Sequence, residues 1–562
     1  MFELGDISFN VRNFVERGVL PFPHASYVNV AALSALLLTA GAAGCSREPA
    51  GSAGTRLVVA LAQEPNSLNP LFTLGPTTAV IAPLIYSGLV TVDGQGRLRP
   101  QLATSLPSVR NGGISRDGLT ITYRLRSGVR WQDGVPLTAA DVAFTYAAIV
   151  NPANNVPSRF GYEAIRNVEA VGAGLVRVHL LRRYAPILSV FMGPDQNFFV
   201  LPKHVLARYR DLNAVPFNAA PIGSGPFRVV AWARGDRLRL VRNATYFGGT
   251  PHIAEIDLKF VPDSAAMLNQ LRTGEIDAAF FADPAFLTSY ERLSASRIAR
   301  VREHGFGDLL FNTQAPEVAD ARVRRALIAS IDIPRLVHNA TKGAQTAQDA
   351  GRGLFSWTYD PTIAPPRYDP LAAARAFTAA GWRRGPDNIL HKNGRPLVLQ
   401  LAFPSGTGFA NAIAVDLQQE LRDAGVALTL RSYTPALFRA PAVAGGPLFG
   451  GKFSLAFFEP FTSSDPDTHW YLGCSEIPPR GLNVQRFCDA AIEEAQAAGL
   501  SIYDPAVRRR YAKIVQRRVA AELPFVALYQ VDAVNVYPRR LHGFSTSAVL
   551  PTWNVADWRL DP

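Results

Sequence analysis

Cysteine is the scarcest of the residues able to do chemistry here: three occur in 562 residues, at positions 45, 474 and 488. In a chain exported to an oxidising compartment, an even pair reads as a disulfide, which makes Cys474 and Cys488 partners. A zinc site is the alternative, with two Cys and no nearby His pair as its ligands. The nine His are scattered, and none stands four residues from another to hold a metal on one helix face. No GxxxxGK[ST] loop cradles a phosphate, and no GxSxG elbow presents a nucleophile. Gly94-Gln95-Gly96 begins like a dinucleotide loop but lacks the third Gly and the following helix. No catalytic constellation emerges, no cofactor is implied, and the chain reads as a non-enzyme.

The elements that would position binding residues alternate along the chain. Residues 56–62, RLVVALA, read as a buried strand. Residues 119–126, LTITYRLR, alternate strictly, with Leu119, Ile121, Tyr123 and Leu125 on one face. Thr138 and Asp141 form a capping-box pattern that starts a helix through Val142, Tyr146 and Ile149. Residues 227–232 and 237–241 read as a hairpin around Ala233-Arg234-Gly235-Asp236, and the turn explains that Arg-Gly-Asp triplet better than an adhesion motif does. A helix over 263–273 stops at Gly274, and a strand follows over 276–280. Further helices are expected over 321–331 and 411–424, and strands over 396–403 and 426–430. The class is α/β throughout, without internal repeats.

Length gives a prior of three to four domains. A composition of 48% hydrophobic and 18% charged residues excludes disorder, collagen and coiled coil for the bulk of the chain. The net charge is +12, and only six of the 57 basic residues are Lys. Such Arg usage could serve a nucleic-acid or anionic-lipid surface. No aromatic-interleaved basic cluster appears, so no nucleic-acid partner is expected. The densest runs, Arg508-Arg509-Arg510 and Arg517-Arg518, fall on an amphipathic helix and read as a solvated face.

The one long apolar run, residues 28–44, ends in Ala42-Ala43-Gly44-Cys45. It is marginal for a membrane span, and its small-residue end resembles a bacterial lipobox, in which the Cys is acylated and becomes the first mature residue. Residues 1–45 are therefore expected to be a signal peptide, with its true start downstream of Met1. A plain secretory cut nearby is the alternative. Residues 46–55, SREPAGSAGT, read as a flexible linker.

Several segments together resemble the extracytoplasmic solute-binding proteins of peptide-type ABC importers, the dipeptide- and oligopeptide-binding proteins. The first is residues 64–70, EPNSLNP. The most specific is residues 131–142, WQDGVPLTAADV. Gly223-Ser224-Gly225-Pro226-Phe227, residues 243–246, residues 271–277, Phe311-Asn312-Thr313 and residues 322–327 follow in the family's order, and the span from Cys474 to Cys488 precedes Leu523-Pro524-Phe525. The resemblance covers residues 56–562.

It implies a two-lobed periplasmic-binding-protein fold with a hinge. Lobe I would comprise 56–88, 216–305 and 526–562, an extra domain 89–215, and lobe II 306–525. It implies a ligand enclosed on closure, an ABC permease and ATPase as partners, a lipid-anchored extracytoplasmic location and a monomer. Phe72, Thr73 and Gly75 would line the first-lobe side of the cleft, and Phe461, Trp470 and Tyr529 would be pocket walls. The family Asp that pairs with a peptide's α-amino group falls on Thr462, and a first-lobe Glu of some oligopeptide binders falls near Leu74. A hydroxyl cannot neutralise a buried ammonium, so Glu459 or Asp465 would have to supply the carboxylate. The alternative is a non-peptide solute: an opine, a sugar conjugate or a metal chelate. A sensor or chaperone that no longer transports, and an extracytoplasmic hydrolase, are the remaining classes.

Overall fold

The computed structural model describes residues 56–73, 75–347, 352–405, 409–460, 464–547 and 549–561. The expected signal peptide, Cys45 and the linker lie outside them, as do Leu74, Phe461 and Thr462.

An eleven-stranded mixed sheet organises these residues. From one edge it runs through Ala427–Tyr433, Val398–Pro404, Leu455–Phe458, Ser296–Phe311, Phe525–Pro538, Ala278–Ala282, Arg56–Leu61, Glu255–Phe260, Arg237–Arg242 and Phe227–Ala233, with Thr346–Ala347 paired to the side of Phe525–Pro538. The two longest strands, Ser296–Phe311 and Phe525–Pro538, pair antiparallel in the middle. Their ladder slips between Arg302 and Phe306, and such a bulge bends the strand pair.

The hydrophobic cores divide at the same place. On one side Leu57, Tyr86, Trp131 and Trp558 share a core, beside a smaller cluster holding Met267, Tyr290, Val534 and Val536. On the other, Leu309, Leu417, Leu455 and Leu528 share one core, and Phe306, Tyr471, Val515 and Phe525 another. Within residues 89–215, a three-stranded antiparallel sheet of Thr120–Arg124, Leu175–Leu180 and Ile165–Val171 packs into the first core.

Local signals explain the elements. Ile121 and Tyr123 are fully buried on the alternating strand. The Asp141 carboxylate accepts the Thr138 N–H at 2.8 Å and opens helix Ala139–Val150. Asp263 caps helix Ser264–Thr273 by accepting from the Ala266 N–H at 2.7 Å, and Gly274 ends it at φ 75°. The strand expected over 276–280 lies instead at Ala278–Ala282, because the Glu275 and Ile276 N–H groups fold back onto the Gln270 carbonyl to close that helix.

Candidate functional site

A cavity of about 540 Å³ opens where the two groups of cores meet. One wall comes from Gln95–Leu98, Leu106, Ala185 and Ser189; the facing wall comes from Ser356, Trp357, Ser464, Asp465, Tyr503 and Arg508; Arg302 and Gln530, on the two long strands, form part of its lining. Gly94-Gln95-Gly96 is thus a turn between strands Val90–Val92 and Leu98–Pro100.

Asp465 is buried in this wall, and both its oxygens accept from Arg508, each at 2.6 Å. Burial pushes the Asp465 carboxyl upward, Arg508 pulls it back, and the Asp195 charge adds to the rise. Burial works against the Arg508 charge, yet Asp465 holds that guanidinium above its ordinary value. The reading of residues 508–510 as a solvated face therefore needs correction at Arg508, which is only 8% exposed. On helix Pro505–Glu522, Arg508 stands seven and eleven residues before the buried Val515 and Val519, on the same face.

Arg302 is held more loosely. Its one ion pair among the described residues reaches the Asp532 Oδ1 at 3.8 Å, while the Asp532 Oδ2 already accepts from Arg300 at 3.1 Å and from the Thr346 hydroxyl at 2.9 Å. Arg97, also in the lining, bonds Asp93 at 3.0 Å. The cavity thus presents a guanidinium with most of its donors directed to no acceptor among the described residues. Trp357 lies opposite, 38% exposed, with the Arg508 and Arg509 guanidinium carbons each 5.7 Å from its ring centre.

The other expected site residues are distributed differently. Tyr529 is buried on the face opposite Gln530 and donates its hydroxyl to Glu459. Burial raises the Glu459 carboxyl above the ordinary range, and neither residue lines the large cavity. Trp470 packs against the core of Phe306 and Tyr471. Phe72 packs against the first core, Thr73 edges a shallow crevice beside Pro65 and Ile81, and Gly75, at φ 108°, precedes helix Pro76–Ile85. Cys474 and Cys488 are joined as a disulfide. Of the expected site residues that are described, the structure brings only Asp465 to the large cavity, and it adds Arg302, Trp357, Tyr503, Ser464 and Arg508. Arg508 alone left a trace in the sequence, through its phase with Val515 and Val519. Among the described residues no group of three or more His, Cys, Asp or Glu could hold a metal, and no helix is long and apolar enough to cross a membrane.

The model of the bacterial extracellular solute-binding proteins, family 5, matches residues 97–475. Protein XP55 of Streptomyces lividans is 28% identical over 524 residues, spanning 92% of each chain. The oligopeptide-binding protein AppA of Bacillus subtilis is 26% identical over 536 residues, covering 90% of this chain and 92% of that one. The solved structure of AppA with a nonapeptide superposes at a TM-score of 0.71 with 25% identity, over 90% of this chain and 99% of that chain. NikZ of Campylobacter jejuni with Ni(L-His) superposes at 0.73 with 26% identity, over the same shares.

Proposed function

The chain belongs to the bacterial extracellular solute-binding proteins, family 5, and from that membership we propose that it captures a short peptide or peptide-sized solute with an anionic end and delivers it to an ABC permease. Its fold is the two-lobed periplasmic-binding-protein fold of its structural relatives. The observation that carries the reading is the cavity of about 540 Å³ lined from both sides of the ladder slip, with Arg302 pointing an under-used guanidinium to it. A solute there touches both halves at once, so its binding free energy favours their approach. That volume suits a ligand of a few residues. The coincidence of core boundary and ladder slip supports a first crossing between the lobes at residues 305/306 and favours a return crossing near Gln530 over the expected 525/526, since Val526 and Leu528 pack in the second group of cores and Val534 in the first, with 89–215 as an extra domain on the first lobe.

A non-peptide solute is the second reading: an opine, a sugar conjugate or a metal chelate. One observation favours it. Asp465 is the only carboxylate of the described cavity lining, and Arg508 takes both its oxygens. A free ammonium would find no partner there.

Native mass spectrometry of the protein exported by a bacterial host, followed by denaturation, tests the two readings. A ladder of short peptides released from the protein supports the first, and a single non-peptide mass supports the second. Export as a lipoprotein is part of the same proposal. Changing Cys45→Ala should move the mature protein from the membrane fraction to the soluble one, and unchanged partitioning would sink the anchor.

A further inference from the structure

Three carboxylates meet one guanidinium where the two groups of cores abut. Asp195 lies in the turn after Phe191 and Met192, members of the first core. Asp465 and Asp467 lie just before Tyr471 and Leu472, members of the core across the seam. The Asp195 carboxylate accepts from the Ser464 N–H at 2.7 Å and its hydroxyl at 2.6 Å, and from the Asp465 N–H at 3.4 Å. Beside it the Tyr184 hydroxyl donates to the Asp467 Oδ2 at 3.1 Å. The Ala185 N–H donates to the Leu500 carbonyl at 2.7 Å, and the Tyr503 hydroxyl to the Gly118 carbonyl at 2.9 Å. Residues 184, 185, 195, 464, 465 and 503 thus stitch the seam, and four of them line the cavity.

We infer that Asp195, Asp465 and Asp467 with Arg508 form a proton-sensitive clasp: a proton taken up at Asp467 favours the closed seam, and its loss loosens it. The charges do not balance. Arg508 satisfies Asp465, and among the described residues no cation bonds Asp467 directly. Asp467 faces the Tyr184 hydroxyl from the first side. On its own loop and the helix that follows it faces Asp465, the His469 N–H at 2.9 Å and the His469 ring; from helix Pro505–Glu522 it faces Arg508 beyond Asp465. Asp195 stands behind Asp465 across the seam. With the seam shut, burial first and then the Asp465 charge push the Asp467 carboxyl from 3.8 up to about 6. An acid raised in one arrangement penalises that arrangement above the raised value. The penalty shrinks as pH falls through about 6 and is gone below about 4. Closure is therefore favoured at mildly acidic pH. The inference rests on the reading that two halves close around a solute, and not on which solute it is.

Small-angle X-ray scattering of the exported, solute-stripped protein at about pH 5 and about pH 7.5 tests it, alone and with a pool of random tripeptides. The compact population should rise by about tenfold or more on going to the lower pH, since one pKa unit is a tenfold effect. Asp467→Asn, whose amide keeps the Tyr184 and His469 contacts, should be compact at both values. Tyr184→Phe should shift the population toward the open form and keep the pH dependence. A pH-independent wild type that still compacts with peptide overturns the clasp alone. An Asp467→Asn protein that titrates like wild type also overturns it. A radius that answers to neither pH nor peptide overturns both the clasp and peptide-driven closure.

Discussion

Arg508 grips Asp465 through two guanidinium nitrogens, each 2.6 Å from a carboxylate oxygen, inside the wall of a cavity of about 540 Å³. Both side chains are 9% exposed. A pair so buried holds its geometry because either charge alone would be stranded.

Asp465→Ala should therefore cost about 3–5 kcal/mol of unfolding free energy, the range for an uncompensated buried charge. The double change Asp465→Leu with Arg508→Met should recover most of that loss, since it removes both charges and fills the space. Urea unfolding of wild type and the two variants is the check. Equal losses in the single and double variants would mean that packing, and not charge, is what the pair supplies.

Arg302→Ala should leave the unfolding midpoint nearly unchanged, because a half-exposed pair at 3.8 Å contributes about 1 kcal/mol at most. Its effect should fall on binding. Affinity for carboxylate-ended peptides should drop about tenfold, which is about 1.4 kcal/mol, while C-terminally amidated peptides should bind wild type and variant alike. Isothermal titration with the two peptide pools measures it. No preference of the wild type for acids over amides would remove the anionic-end reading.

Much of this architecture was legible in the sequence, for an identifiable reason. Ile121 and Tyr123, Asp141 at its helix start and Gly274 at a helix end act through neighbours a few residues away, and the period or the cap is written locally. The cavity was not legible. Arg302, Trp357 and Asp465 are separated by 55 and 108 residues and converge only because the two long strands carry chain segments from both sides of the ladder slip. Asp465 reads in the sequence as a carboxylate for a ligand's ammonium, yet Arg508, one turn into a distant helix, bonds both its oxygens. Glu459 looked like a ligand carboxylate, yet strand alternation at Tyr529 and Gln530 puts its partner on the core face.

The Cys474–Cys488 bridge closes a short loop with a sequence separation of 14, and its loss should cost about 3 kcal/mol. The loop also holds buried amides that depend on its shape. The Asn483 side chain donates to the Gly473 and Phe487 carbonyls at 2.9 and 2.7 Å, and Gln485 donates to the Tyr471 carbonyl at 2.6 Å. The Cys474→Ala, Cys488→Ala double variant should unfold at a lower urea concentration, and reductant should move wild type to the same midpoint. A reductant-insensitive wild type would contradict this account.

Asp308 gives the last prediction, because it is buried without a cation among the described residues. It is fully enclosed on strand Ser296–Phe311. The Tyr471 hydroxyl donates to its Oδ2, and its Oδ1 has no hydrogen-bond partner among the described residues. Burial raises its carboxyl well above 3.8; the Tyr471 bond opposes the rise and the Glu459 charge adds to it. A carboxyl raised on folding is neutral in the native protein at pH values where the unfolded chain is already ionised. Its contribution to stability is greatest at or below about pH 3.8 and is lost as pH rises toward the folded value. Asn at this position can still accept from Tyr471 and cannot ionise. The difference in unfolding free energy between wild type and Asp308→Asn should therefore move in favour of the variant as pH rises from about 4 to about 8, by up to about 1.4 kcal/mol per pH unit inside the window. The constant offset left by an unpartnered amide does not alter that slope. Urea midpoints taken across the range read it directly, and parallel curves for the two proteins would show that Asp308 is ionised in the native state.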